Sequence, residues 1–197
     1  MSARARSRGY TVVELMMGLA VFSAGVTGII TLQRTAVSAN RMAKNVELAA
    51  SIAQGWEAQL ATDASMWRGT LNQTSSPWLS TLSDADMNGA WQLFAYDATR
   101  RYGACFDAFG QPTNAAADTY FCAHVRLTWL FTNDSDVTPT PGTANNGTIR
   151  TDVRVFWPRE GATRIAGDST DPGTIEDVAE ATDRYYFVVQ TGAVRQP

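Results

Sequence analysis

The sequence predicts an α+β fold, a long N-terminal α-helix packed on a C-terminal antiparallel β-sheet. Three observations carry this. From Tyr10 to Leu32 the chain is apolar with one charge, Glu14. From Gln33 to Asp63 there is no proline, and small and apolar residues recur at steps of three and four, the period of a helix lying on a surface. Trp78–Asp86 reads as a loop or short helix, and beyond it the period changes to two, in runs rich in β-branched and aromatic residues, the mark of strands.

The first element is a basic stub. Met1–Gly9 holds Arg4, Arg6 and Arg8 and no acid. The apolar run that follows is about 23 residues, enough to cross a bilayer at a rise of ~1.5 Å per residue. Positive charge before the run predicts a cytoplasmic N-terminus and places the rest of the chain outside. An ordinary secretory signal is the competing reading. It wants a shorter apolar core of ~7–15 residues and a small-x-small cut, for which Ser23-Ala24-Gly25 is a candidate. A lone carboxylate in a membrane-length segment is costly, so Glu14 is expected to have a role and a partner.

The second element continues the helix. Leu32, Ala36, Ala39, Ala43, Val46, Ala50 and Ala53 form one stripe, widened by Leu48, Ile52, Trp56 and Leu60. Gly55 costs about 1 kcal/mol relative to alanine without breaking the pattern. A single helix over Tyr10–Asp63 would be about 54 residues, roughly 80 Å. Thr70–Pro77 is rich in Ser, Thr and Asn and ends the helical half. Four strands are expected, at Ala90–Tyr96, Tyr120–Phe131, Thr148–Trp157 and Arg184–Gln190. In the third, Ile149, Thr151, Val153, Val155 and Trp157 alternate with Arg150, Asp152, Arg154 and Phe156, which reads as a half-buried antiparallel strand. The connectors Gly110–Asp118, Asn133–Gly147 and Glu160–Gly173 are loops by composition, and Thr174–Ala181 forms one or two helical turns. The expected divisions are a leader 1–9, a transmembrane half-helix 10–32, an amphipathic half-helix 33–63 and a globular head 64–197.

Composition narrows the function. The 197 residues are 45% hydrophobic with a net charge of -3. Removing the three leader arginines leaves 13 of the 16 basic residues against 19 acidic ones. That balance opposes nucleic acid as a partner, since phosphate binding needs clustered Lys and Arg. His124 is the only histidine, so a His-based triad and a multi-His metal site are both excluded. It falls in a strand and is read as a strand-face residue. No Ser or Cys nucleophile motif, phosphate loop or CxxC is present. Asn133, Asp134 and Asp136, and also Asp168, Asp171 and Glu176, offer oxygens but lack the glycine and terminal Glu of an EF-hand loop. No catalytic residue, cofactor or metal is assigned. The sequons at Asn72, Asn133 and Asn146 are short enough to arise by chance. Cys105 and Cys122 are the only cysteines. In an exported head they are expected to pair, closing a loop of about 18 residues worth around 3 kcal/mol. Two separate buried thiols are the alternative.

Gly9-Tyr10-Thr11-Val12-Val13-Glu14-Leu15 resembles the cleavage and methylation motif of type IV prepilins. Gly28-Ile29-Ile30-Thr31-Leu32-Gln33 and Val153-Arg154-Val155-Phe156-Trp157-Pro158 are similar to segments of PilV-type minor pilins. The resemblance implies a pilin-like fold. It implies that Gly9 precedes the prepilin-peptidase cut, that Tyr10 becomes the N-methylated terminus, and that Glu14 pairs with a neighbouring subunit's terminal amine during assembly. It also implies a structural, non-enzymatic hetero-oligomer: a minor pilin that primes pilus assembly and sits in the filament or its tip, supporting adhesion or motility. The implied partners are other minor pilins, the major pilin, prepilin peptidase and a tip adhesin. The implied location is the bacterial inner membrane, with a periplasmic head, and then the pilus. Two departures stand out. The family usually has Phe where Tyr10 stands, and the first helix lacks the proline common in major pilins, which favours a minor pilin. Gly18, Gly25 and Gly28 are the positions left to loosen that helix, or to pack it closely through Ala24-x-x-x-Gly28. A type II secretion pseudopilin shares the leader and helix, and a signal-anchored periplasmic binding module is the alternative of a different class.

Overall fold

A computed structural model describes residues 10–66, 78–79, 88–131, 148–159 and 184–195. It contains a long N-terminal helix and a C-terminal antiparallel sheet, the α+β arrangement expected. Contacts divide the chain into two units, Met1–Asn45 and Val46–Pro197, with the boundary inside the helix.

Helix α1 runs from Val12 to Met66, 55 residues. Thr11 caps it. The Thr11 hydroxyl accepts the Glu14 backbone N–H at 3.2 Å, and the Thr11 carbonyl accepts the Leu15 N–H. In the first unit the helix is exposed through residue 41 and apolar up to Leu32 apart from Glu14. The hydroxyls of Ser23, Thr27, Thr31 and Thr35 each donate to the carbonyl four residues earlier, at 2.8 to 3.1 Å.

In the second unit the helix buries Ala49, Ile52, Ala53, Trp56, Leu60, Asp63 and Ala64. This corrects the expected stripe. Leu32, Ala36, Ala39, Ala43 and Val46 are exposed, and Ala49 rather than Ala50 is fully buried. Trp56 is the anchor. Its ring stacks on Phe94 at 5.2 Å and meets Trp78 and Tyr102 edge-on at 5.2 and 5.0 Å. Gly55 belongs to the same contact. A Cβ there would stand 2.8 Å from the Tyr102 hydroxyl, so the absence of a side chain lets Tyr102 lie against the helix. Burial raises the pKa of that phenol to about 12. Two turns on, Asp63 is buried and accepts the backbone N–H groups of Trp78 and Leu79 at 2.6 and 3.0 Å.

Five strands form one antiparallel sheet: β1 (Asn88–Gln92), β2 (Cys105–Phe106), β3 (Phe121–Phe131), β4 (Thr148–Pro158) and β5 (Tyr185–Arg195). The order is β1-β3-β4-β5, and β2 also pairs with β3. The four expected strands are present with shifted ends. β1 starts and stops earlier than Ala90–Tyr96, and residues 93–96 carry no strand pairing. β5 continues past Gln190 to Arg195, pairing in unbroken register with β4. β2, two residues long, was not expected. Thr70–Pro77, Asn133–Gly147, Glu160–Gly173, Thr174–Ala181 and the sequons at Asn72, Asn133 and Asn146 lie outside the described residues.

Two outcomes follow from this packing. Trp56→Ala removes the indole at the centre of three aromatic contacts, and the midpoint of chemical denaturation should report a loss of about 3–5 kcal/mol. Gly55→Ala gains helix propensity of roughly 1 kcal/mol but drives Tyr102 from the helix. It should therefore fail to stabilise the wild-type chain, yet stabilise a Tyr102→Ala background, as measured by a double-mutant cycle.

Candidate functional site

The residues singled out from the sequence fall into two places. Tyr10 and Glu14 stand at the start of the exposed apolar helix, and Gly9 lies outside the described residues. Glu14 occupies the third helical position after the Thr11 cap, a Thr-x-x-Glu arrangement that matches a capping box. In the first turn a carboxylate also faces the positive end of the helix dipole. Between Tyr10 and Gln33 it remains the single charged residue.

Cys105 and Cys122 form a disulfide in the second unit. The two residues stand directly opposite each other where β2 pairs with β3, and both are fully buried with Ala104 and Phe156. The cross-link therefore fixes a two-residue strand that has little pairing of its own.

The alternation of β4 sets up two buried faces, not one. Side chains along a strand point alternately to opposite sides. One side carries Thr151, Val153, Val155 and Trp157. Here the helix contributes Glu57, whose carboxylate accepts the Thr151 hydroxyl at 2.5 Å. A Cβ at Gly192, opposite Thr151 on β5, would collide with that carboxylate. Glu57's pKa is raised from its ordinary 4.5, chiefly by burial and further by the negative charge of Asp152, against the lowering effect of the Thr151 bond.

The other side carries Arg150, Asp152, Arg154 and Phe156. It was expected to be the open face of a half-buried strand, and this needs correction: Asp152 is 1% exposed and Arg154 8%. Burial of Asp152 is compensated by partners. Its Oδ2 accepts Arg126 Nε and Nη2 at 3.0 and 2.9 Å, and its Oδ1 accepts Arg150 Nε at 3.1 Å and the Thr191 hydroxyl at 2.7 Å. Desolvation acts to raise its pKa, but the bonds from Thr191, Arg126 and Arg150 outweigh it and hold the carboxyl below its usual value. Arg154 donates from Nη2 to His124 Nδ1 at 2.8 Å. An acceptor at Nδ1 makes the imidazole neutral with its proton on Nε2. Burial, reinforced by the Arg154 charge, lowers the His124 pKa to about 3. Arg126 and Arg154 both lie over the Trp91 ring, at 4.6 and 4.5 Å from its centroid.

Among the described residues no group of three His, Cys, Asp or Glu is arranged to hold a metal ion. The acidic runs around Asp134 and Asp171 lie outside those residues. The Arg126–Asp152–Arg150 network, Glu57 and Asp63 were not singled out from the sequence. The available signal was the polar side of β4, where Arg-x-Asp-x-Arg repeats at strand spacing. No family model, curated protein or solved structure matches the chain.

The raised Glu57 pKa predicts a specific pH dependence. A carboxyl with a folded-state pKa above its unfolded value contributes stability that is present below the unfolded pKa and is lost as pH rises through the folded one. The stability of wild type relative to Glu57→Gln should therefore fall as pH rises from below 4.5 through the raised value. Denaturation midpoints of the two chains across that range measure it. A second test addresses Asp63. Asp63→Ala strands two buried N–H groups and should cost roughly 2–6 kcal/mol, at about 1–3 kcal/mol per unsatisfied donor.

Proposed function

We propose that the chain is a non-catalytic minor pilin of the PilV type, a subunit that primes assembly of a type IV filament and sits in the filament or at its tip. The observation that carries this reading is Glu14. It is the single charge in the exposed apolar stretch from Tyr10 to Leu32, which is long enough to span a membrane, and it stands in the first turn after Thr11.

The chemistry of that position suits a register device. The helix presents membrane-length apolar surface with its hydroxyls already bonded to its own carbonyls, so it enters lipid without unsatisfied side-chain donors. Glu14 alone is left to be neutralised. A cleaved neighbour offers a positive terminal amine at the same depth, and attraction between the two is strong in low dielectric. The subunit is thus read as lying in the inner membrane with its head outside, and later in the pilus. Other minor pilins, the major pilin and a tip adhesin are its partners. Prepilin peptidase acts on Gly9–Tyr10. The disulfide suits a head folded in an oxidising compartment.

Intact-mass measurement of membrane-extracted protein should show loss of Met1–Gly9 and gain of one methyl group. A mature chain starting near Gly25 would point to an ordinary signal peptide instead. Glu14→Ala should insert and be cleaved normally, because removing a carboxylate eases insertion by up to about 2.5–3.5 kcal/mol. Its recovery with sheared pili or other minor pilins should fall to background at equal membrane levels. Wild-type recovery would remove the assembly role of Glu14 and favour a signal-anchored module.

A further inference from the structure

The sheet ends on two unlike edges. In the order β1-β3-β4-β5, β1 and β5 stand at the two ends. A bare edge carries a row of unpaired N–H and C=O groups that another chain can extend. Edge strands are therefore ordinarily short, bulged, charged or interrupted by proline. β1 follows that rule. It has five residues, its register is broken between Asn88 and Trp91, and Gly89 takes a left-handed φ of 91°. β5 does not. It has eleven residues in unbroken register with β4, about twice the usual strand length. From Tyr185 to Val194 it carries neither charge nor proline. Among the described residues no strand pairs with its outer side.

An edge specifies what can cover it, which a face does not. Donors and acceptors alternating at strand spacing are matched in full, water aside, by another extended backbone. The side chains then select the strand, and β5 is complementary to itself. Turned antiparallel about a twofold axis at Val188, it sets Phe187 of each copy opposite Val189 of the other. These are the two large apolar side chains that β5 exposes, at 45% and 51%. An aromatic facing a β-branched residue is a favourable cross-strand pair. The same register sets Tyr185 opposite Thr191, Tyr186 opposite Gln190 and Arg184 opposite Gly192, so no like charges meet. Contact of one patch with itself is the geometry of a two-copy interface.

We propose that a second copy of this chain extends the sheet at the outer edge of β5, antiparallel, with Val188 at the axis. One sheet then runs through both copies, and Phe187 and Val189 of each cover the seam. The inference does not depend on the filament reading.

The test is sedimentation velocity of the full-length chain in density-matched detergent micelles, over a concentration series. Wild type should pass from one copy to two as concentration rises. The long helix can also join copies in a micelle, so two variants separate the routes. Phe187→Lys and Val189→Glu, both at exposed positions, should each weaken the dimer about tenfold, because each dimer loses two aromatic-to-β-branched pairs. Mixed in equal amounts, they should recover association, because the new lysine faces the new glutamate across the axis. A measurement on wild type needs no variant: the β5 backbone amides should gain protection from hydrogen exchange as the protein associates. Dimers that persist undiminished in both variants overturn the proposal, in favour of contact through the helix. Weakened association without recovery on mixing overturns the pairing at Val188. A chain that stays single at all concentrations overturns the second copy as the occupant. Fast exchange in that single chain would then leave water on the edge, and slow exchange another segment of the same chain.

Discussion

The head depends on the seating of Trp56 among Phe94, Trp78 and Tyr102. This contact joins a helix to segments that have little regular structure of their own. Phe94 lies beyond the end of β1, Tyr102 in an isolated bridge to Asp97, and Trp78 in a short segment pinned by Asp63. Three adjacent helix features serve the same seam. Gly55 admits the Tyr102 ring, Trp56 fills the space, and Glu57 reaches Thr151 beneath Gly192. A residue of poor helix propensity, a large aromatic and a buried carboxylate follow one another because each meets a different partner across the seam. Burial of the indole, worth several kcal/mol, outweighs the roughly 1 kcal/mol that Gly55 costs the helix.

Behind that seam the sheet solves a different problem. Its second face is built from charges, and it is held by specific bonds rather than by apolar area. Asp152 collects donors from three strands, since Arg126 lies on β3, Arg150 on β4 and Thr191 on β5. A buried network of this kind contributes little net stability compared with an apolar substitute. It does discriminate registers. A one-residue slip of β4 against either neighbour would turn Asp152 to the apolar side and leave three donors unanswered. The disulfide does the same for β2, which is too short to hold its register by pairing alone.

Much of this was legible in the sequence, for identifiable reasons. The helix and four of the five strands follow from periodicity, which requires only that one face of each element be apolar. The cysteine pair follows from count and export. The misses share a cause. Periodicity names a face but not what covers it, so the alanine stripe from Leu32 to Val46 looked buried and is exposed. In the same way Asp152 and Arg154 looked solvated, because burial of charge depends on donors from distant strands that no local pattern encodes. β2 has no period to read at two residues. β5 continues past its expected end at Gln190 through Thr191-Gly192-Ala193. The glycine is there to make room for Glu57.

Under the filament proposal, Glu14 combines a local role and an assembly role in one side chain. The Thr11 cap and the first-turn position give its carboxylate a favourable place in an isolated helix, through capping and the dipole, worth about 0.3–1 kcal/mol at an exposed site. That contribution is far smaller than the cost of holding an ionised carboxylate in hydrocarbon, a few kcal/mol on insertion scales. Capping therefore explains why glutamate is tolerated at the helix start and does not explain why a membrane-length segment keeps its single charge there. The difference between the two magnitudes is what a partner's positive group has to supply. It is also why glutamine, which retains the capping geometry but not the charge, separates the two roles at this position.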